Sequence, residues 1–127
     1  PFFTGRVTVP VLWDKKQHMI VSNESSEIIR MFDSAFTKIA PCSTEYYPIL
    51  LRPEIDVINQ FVYDNINNGV YRCGFATSQE AYDKAYDALF NALDELEKRF
   101  ENQTYLVNNT LTEADWRLFT TLIRFDV

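Results

Sequence analysis

The order of secondary structure is clearest in RVTVPVLWDKKQHMIVSNESSEIIR, residues 6–30, where strand patterning gives way to helix patterning. Residues 6–12 alternate and are rich in β-branched side chains, and residues 18–21 repeat this pattern after a polar turn, which predicts a β-hairpin. Pro10 interrupts the first strand, although proline cannot donate a ladder hydrogen bond and belongs at strand edges, strand starts or bulges. From about residue 25 to 36, apolar side chains recur at helical spacing and predict an amphipathic helix.

The stretch that follows, residues 39–52, is rich in proline and has no period, so we interpret it as a linker. Helical spacing then dominates residues 53–127. Pro53 suits a first helical turn and Gly69 suits a helix C-cap. The sequence TSQE, residues 77–80, has the spacing of a capping box that opens a long helix.

A second Ser/Thr-x-x-acid spacing precedes the last predicted helix, which runs from Glu113 to about Phe125. Thr112 and Asp115 form this spacing, and we assign them a structural role at the helix start rather than chemistry. The patterning therefore predicts an α+β chain, in which a small α+β region is joined to a helical bundle.

Composition and charge exclude several classes of function. The net charge of −6 argues against a partner nucleic acid, because phosphate binding needs a basic footprint. No apolar run approaches the roughly 20 residues that span a bilayer, so we expect no membrane partner. His18 is the only histidine, which argues against a histidine-based metal site or a Ser-His-Asp triad. Cys42 and Cys73 are too few for a disulfide framework and are typical of reduced thiols in a cytoplasmic protein.

Four stretches, taken in order, resemble one family closely: GRVTVPVLWDKK, VSNESSEIIRMF, NNGVYRCGFATSQEAYD and LTEADWRLFTTLIRFD. They are similar to the xi class of glutathione S-transferases, the omega-like glutathionyl-hydroquinone reductases. The resemblance implies the second half of a thioredoxin-like, glutathione-binding domain in residues 1–38. It also implies that residues 53–127 form the first part of an all-helical C-terminal domain.

The resemblance further implies a reaction in which glutathionyl-hydroquinones are reduced to hydroquinones and glutathione is the co-substrate. The family's nucleophile is a cysteine in a Cys-Pro-Trp-Ala motif, which would lie upstream of Pro1, and neither Cys42 nor Cys73 occupies its place. We therefore expect these residues to be a fragment that is inactive alone. The intact protein is expected to be a cytoplasmic homodimer without a metal.

A glutathione site is implied around the Val-Pro step. The family resemblance predicts a cis Val9–Pro10 bond, which would free the Val9 backbone to pair with glutathione as with an added strand. The resemblance also implies that Arg6, Val7 and Thr8 line this site. The sequence alone leaves a trans proline in an edge strand as the alternative, and Arg6 can equally be a solvated surface charge.

The start of the first helix carries Glu24 and Ser25. A helix N-terminus favours a carboxylate, so Ser25 suits the α-carboxylate of glutathione's γ-glutamyl end, and Glu24 suits the neighbouring ammonium. Simple helix capping by Asn23 or Ser25 is the alternative, and both interpretations can hold together.

Tyr71 matches a family tyrosine that faces the nucleophile, where a phenol can hydrogen-bond the hydroquinone oxygen or donate a proton. From the residues alone, Tyr71 beside Gly69 is instead interpreted as a packing residue. Two other functions stay open, because a fold does not fix a function. They are a non-enzymatic glutathione-binding scaffold and a conventional glutathione S-transferase.

Overall fold

The computed structural model describes residues 8–41 and 44–125, and the chain divides into two compact units, residues 1–45 and 46–127. Arg6, Val7 and Cys42, which the sequence analysis singled out, lie outside the described residues. In the N-terminal unit, strands β1 (Leu12–Asp14) and β2 (Met19–Ser22) pair antiparallel. Helix α1 (Ser25–Ser34) follows directly.

The predicted first strand is wrong in its described part. β1 begins at Leu12, so Pro10 precedes the strand instead of interrupting it. Trp13 pairs with Ile20, although the predicted strand ended at residue 12. The register shifts between Leu12 and Trp13, where the partner changes from Ser22 to Ile20. An irregularity of this kind is typical of a β-bulge, which bends and twists a strand.

Asp14 explains why the turn begins later than its polar composition suggests. Its carboxylate oxygen accepts the backbone N–H groups of Lys16 and Gln17, both at 2.8 Å. His18 then adopts a φ of 52°, in the left-handed region. Asp14 therefore closes the strand and shapes the turn with the same side chain.

The helical unit starts with a 3₁₀ turn (Ile49–Leu51) and continues through α2 (Arg52–Val62), a π turn (Tyr63–Asn67) and α3 (Asn68–Gly74). The two remaining helices are α4 (Gln79–Phe100) and α5 (Glu113–Leu122). Thus one nearly continuous helical path runs from residue 52 to residue 74. A single π turn inside such a path shifts the side chains that follow it around the helix axis.

The core of this unit is a cluster of apolar side chains that α2, the π turn, α4, α5 and the α4–α5 connection contribute. Its buried members are Ile55, Ile58, Val62, Ile66, Leu89, Ala92, Leu96, Leu106, Val107, Ala114 and Leu118. Ile55, Ile58 and Val62 of α2 and Ile66 of the π turn are four of them, because helical spacing aligns residues three and four apart on one face.

Two predicted helix ends need correction. Gly69 is not a C-cap but is buried inside α3, where an added Cβ would meet Leu89 Cδ1 at 3.1 Å, so the glycine allows close packing against α4. The cap of α4 is Ser78 and not Thr77, since the Ser78 hydroxyl accepts the Ala81 N–H at 3.2 Å.

The start of α5 has the predicted local arrangement. One carboxylate oxygen of Asp115 accepts the Thr112 N–H at 2.8 Å, and the other accepts the Leu106 N–H at 2.8 Å. Asp115 therefore holds the connection before α5 as well as the helix start, and Thr112 is fully buried beneath it. None of the helices in residues 8–41 and 44–125 has the length and apolar character needed to cross a membrane.

Candidate functional site

The N-terminus of α1 is capped by Glu24, so the alternative interpretation, simple capping by Asn23 or Ser25, is wrong. Glu24 Oε1 accepts the backbone N–H of Ser26 at 3.3 Å and the Ser26 hydroxyl at 3.1 Å. Both Glu24 and Ser25 are exposed to solvent. Glu24 thus presents a carboxylate at the same end of the helix where the backbone N–H groups point outward.

Ser22 orients this helix start, and the sequence analysis missed it. Its buried hydroxyl accepts the Glu24 N–H at 3.1 Å and donates to Glu27 Oε2 at 2.7 Å. The sequence feature that could have indicated this contact is the spacing of Ser22 and Glu27, an acid five residues after a serine. It was overlooked because we ended the second strand at residue 21, whereas β2 extends to Ser22.

The segment before β1 lies beside this helix start. Asn23 Nδ2 donates to Thr8 Oγ1 at 3.4 Å, which joins the two sequence-predicted parts of the site. The expected cis Val9–Pro10 bond is confirmed, and Val9 is 91% exposed. Thr8, Val9 and Pro10 are therefore brought together with the N-terminus of α1.

This arrangement suits a ligand that carries both an amine and a carboxylate on one carbon. The N–H groups of the first turn and the positive end of the helix dipole favour an anion near Ser25. The Glu24 carboxylate favours a cation within a few ångströms of the same point. The two features together match the two charges of an amino-acid end.

Tyr71 lies in the helical unit, on α3, and is 59% exposed. Its ring stacks on Phe75 with centroids 6.2 Å apart and an interplanar angle of 8°. The neighbouring Arg72 donates from its guanidinium to the backbone carbonyl of Asp64 in the π turn. This bond holds the Arg72 guanidinium against the backbone of the π turn. The Tyr71 phenol is accessible to solvent.

Cys73 is the cysteine within the described residues, and it is half-buried in the wall of an apolar pocket of about 360 Å³. The remaining lining residues are Val70, Gly74, Tyr82, Tyr86, Leu89, Phe90 and Phe125. Within the described ranges, no group of three histidine, cysteine or acidic side chains is arranged to hold a metal ion.

Comparison with known proteins agrees with both units. Residues 79–127 match the family model described as the glutathione S-transferase C-terminal domain. The chain is 58% identical over 126 residues to the glutathionyl-hydroquinone reductase YqjG of Escherichia coli K12, a match that covers 99% of this chain and 38% of that protein.

Solved structures agree with the sequence comparison. The glutathione-bound structure of YqjG from Escherichia coli K-12 superposes with a TM-score of 0.93 over 98% of this chain and 40% of that chain. Glutathione transferase Xi 1 from Trametes versicolor is 57% identical, with a TM-score of 0.91 over 98% of this chain and 44% of that one.

The chain thus spans about two fifths of the length of these relatives. Its fold is that of the second half of a thioredoxin-like domain followed by helices of the glutathione S-transferase C-terminal domain. Nearly every residue of the chain aligns with these relatives, at 57–58% identity, and the fold is shared, so the chain closely matches the corresponding part of xi-class glutathione transferases.

Proposed function

We propose that these residues are part of a longer protein, called the parent protein below, that reduces glutathionyl-hydroquinones to hydroquinones with glutathione as the second substrate. The observation that carries the proposal is the 58% identity, over 99% of the chain, to a glutathionyl-hydroquinone reductase. The glutathione-bound structure of the same relative supports glutathione as the ligand.

In this proposal the γ-glutamyl end of glutathione binds at the start of α1. Its α-carboxylate accepts from the Ser25 N–H and hydroxyl, and its ammonium pairs with Glu24, whose carboxylate is exposed there. Charge-assisted hydrogen bonds of this kind contribute about 1.5–3 kcal/mol each when well formed. The two charges bind only if the amino-acid end is oriented correctly, which gives specificity as well as affinity.

The backbone of glutathione binds to the segment before β1. Val9 is exposed and lies outside the paired strands, so its backbone is open to an extended peptide that adds as a strand. Thr8 and Pro10 border the same place, and Thr8 is tied to the helix start through Asn23. The proposal also assigns Arg6 and Val7, which lie outside the described residues, to glutathione binding, with the Arg6 guanidinium as a partner for a glutathione carboxylate.

The chemistry requires a cysteine thiolate that the parent protein supplies from outside these residues. The thiolate attacks the glutathionyl sulfur, so that an S–S bond forms, the bond from sulfur to the ring carbon breaks, and that carbon takes up a proton. Tyr71 hydrogen-bonds the hydroquinone oxygen or donates the proton. A second glutathione then attacks the mixed disulfide, regenerates the thiolate and leaves as oxidised glutathione.

A cytoplasmic location and a homodimeric parent protein belong to the same proposal. Reduced glutathione is abundant in the cytosol, where thiols are kept reduced, and the reaction consumes it.

The test is an assay of the parent protein with a glutathionyl-hydroquinone and glutathione, in which hydroquinone and oxidised glutathione are quantified by chromatography. We expect both products in equal amounts, and a Tyr71→Phe variant with kcat lowered about 100-fold, because general acid catalysis contributes about 10²–10⁴-fold. Conjugation of glutathione to a generic aryl chloride, without reduction, would instead indicate a conventional transferase. Glutathione binding without either reaction would indicate a scaffold.

A further inference from the structure

We propose that Phe75 is a specificity-determining residue that contacts the aromatic ring of the hydroquinone beside Tyr71. The inference rests on the proposed function, since it assigns a second residue to the substrate of Tyr71. The helical unit would then bind the hydroquinone ring through Phe75, in addition to the proposed chemical role of the Tyr71 phenol.

The first support is the geometry of the pair. Tyr71 lies on α3, and Phe75 is the C-cap residue that directly follows this helix. The two residues are four positions apart, so their side chains lie about one helical turn apart on the same side. Their rings are nearly parallel, at 8°, with centroids 6.2 Å apart. Parallel offset rings form one extended aromatic surface, against which a further planar ring stacks in the arrangement that aromatic pairs prefer.

The second support is exposure. Phe75 is 78% exposed, which is the largest exposure of any phenylalanine among the residues with described burial, and Tyr71 is 59% exposed. A large apolar ring left open beside a proposed catalytic group gains free energy when a substrate covers it. The Phe75 N–H donates to the Tyr71 carbonyl at 2.9 Å, so the backbone holds the pair in register.

The third support is the chemistry of the two partners. A hydroquinone ring has apolar faces and two hydroxyl groups at its edge. An apolar phenylalanine face suits the ring, and the phenol of Tyr71 suits an edge hydroxyl. Phe75 would therefore discriminate between substrates by their ring, whereas the glutathione site treats all glutathionyl substrates alike.

The experiment compares two substrates of the parent protein that share the glutathionyl half. One is a glutathionyl-hydroquinone, and the other is the mixed disulfide of glutathione and 2-mercaptoethanol, which undergoes the same attack at sulfur but has no ring. For Phe75→Ala we expect KM for the ring substrate to rise about tenfold, with KM for the mixed disulfide changed less than twofold. Phe75→Tyr should restore the wild-type KM, because it keeps the aromatic face.

Phe119→Leu is the matched control, since Phe119 is a half-exposed phenylalanine on α5 with no proposed part in the site. It should leave both KM values unchanged. Should Phe75→Ala fail to fold, Phe75→Leu gives the same comparison with an apolar side chain retained.

The outcomes separate this inference from the function on which it rests. If the wild-type protein cleaves the mixed disulfide but not the glutathionyl-hydroquinone, the proposed function is wrong. If it cleaves both and Phe75→Ala changes the two KM values equally, or not at all, the ring contact is wrong. A fall in kcat with an unchanged KM would also overturn the ring contact, because Phe75 would then act only by positioning Tyr71.

Discussion

The helical unit and the N-terminal unit differ in the interactions that stabilise each of them internally. The helical unit has a cluster of eleven buried apolar side chains. In the described part of the N-terminal unit, Ile28 is the one buried apolar side chain, and it is accompanied by the buried polar Ser22. The N-terminal unit depends instead on side-chain hydrogen bonds around Ser22 and Glu24.

This difference agrees with the proposed role of the N-terminal unit, which is to bind glutathione. Recognition of a small charged ligand needs exposed carboxylates, hydroxyls and backbone N–H groups, and such groups contribute little apolar burial. Regions with few buried contacts open locally at low free energy. We therefore expect substitutions in the helical unit to change global stability and those in the N-terminal unit to change ligand affinity or local opening.

The largest effect is expected for Ile66→Ala in the π turn. Ile66 is fully buried in the helical core, so the truncation should lower the free energy of unfolding of the parent protein by about 3 kcal/mol. Urea unfolding followed by circular dichroism measures the change. Val57→Ala is the matched control, because Val57 is 73% exposed on α2 and should cost less than about 0.5 kcal/mol. Equal losses in the two variants would contradict the assigned core.

The next largest effect is expected for Asp115→Ala. The substitution leaves the backbone N–H groups of Thr112 and Leu106 without their carboxylate acceptor, which should cost about 2 kcal/mol of unfolding free energy. Asp94→Ala removes the same charge from an exposed position within α4 and should be nearly neutral. A loss for Asp115→Ala that is no larger than the loss for Asp94→Ala would contradict the importance of these two bonds.

Asp115 also illustrates what the sequence could predict. Thr112 and Asp115 are three residues apart, and a capping box needs only partners that lie within one helical turn. The apolar stripe of α2 was predictable for the same reason. The second bond of Asp115, to Leu106, was not, because it depends on how the connection before α5 folds back.

The wrong predictions concern contacts between residues that are distant in sequence, or positions where several neighbouring residues could each cap the helix. Gly69 was assigned to a helix end because glycine is common there, but its role depends on Leu89, which lies on another helix. Around α1, Ser22, Asn23 and Ser25 all have stronger intrinsic cap preferences than glutamate. Glu24 caps the helix because its backbone N–H is bonded to the buried Ser22 hydroxyl. Intrinsic cap preferences of single residues do not include such a bond.

The proposed site was predictable only in part. The residues of the Val-Pro step and of the α1 start were singled out from the family resemblance, and their roles in binding glutathione stay predictions. Tyr71 was singled out in the same way, whereas its stacking on Phe75 emerged from the structure. A phenylalanine after a glycine carries no sequence signal that separates an exposed ring from a buried one.

In the N-terminal unit, the prediction for Glu24 concerns affinity. Glu24→Gln keeps an oxygen that can accept the Ser26 N–H, so the cap remains, but the charge that pairs with the ligand ammonium is lost. We expect the Kd of the parent protein for glutathione to rise about tenfold by calorimetry, which corresponds to about 1.4 kcal/mol. The unfolding free energy should change by less than about 0.5 kcal/mol.

Glu27→Gln is the matched control for Glu24→Gln. It removes one negative charge from the same helical turn, yet Glu27 is bonded to Ser22 and has no proposed contact with the ligand. Its Kd for glutathione should change less than threefold. Similar increases in both variants would mean that the net charge near α1, and not a direct ion pair, determines the affinity.

The smallest expected effect is local and comes from Ser22→Ala. The substitution removes the acceptor of the Glu24 N–H and the donor to Glu27, which should lower the free energy for opening of α1 by about 1 kcal/mol. Amide hydrogen exchange in α1 should then accelerate about fivefold, while exchange in α2 and α4 stays unchanged. Ser34→Ala, which removes only an exposed hydroxyl bonded within the helix, serves as the control. If exchange accelerated equally in both units, the two would unfold as one cooperative body, and the contrast in how they are stabilised would have no consequence for their dynamics.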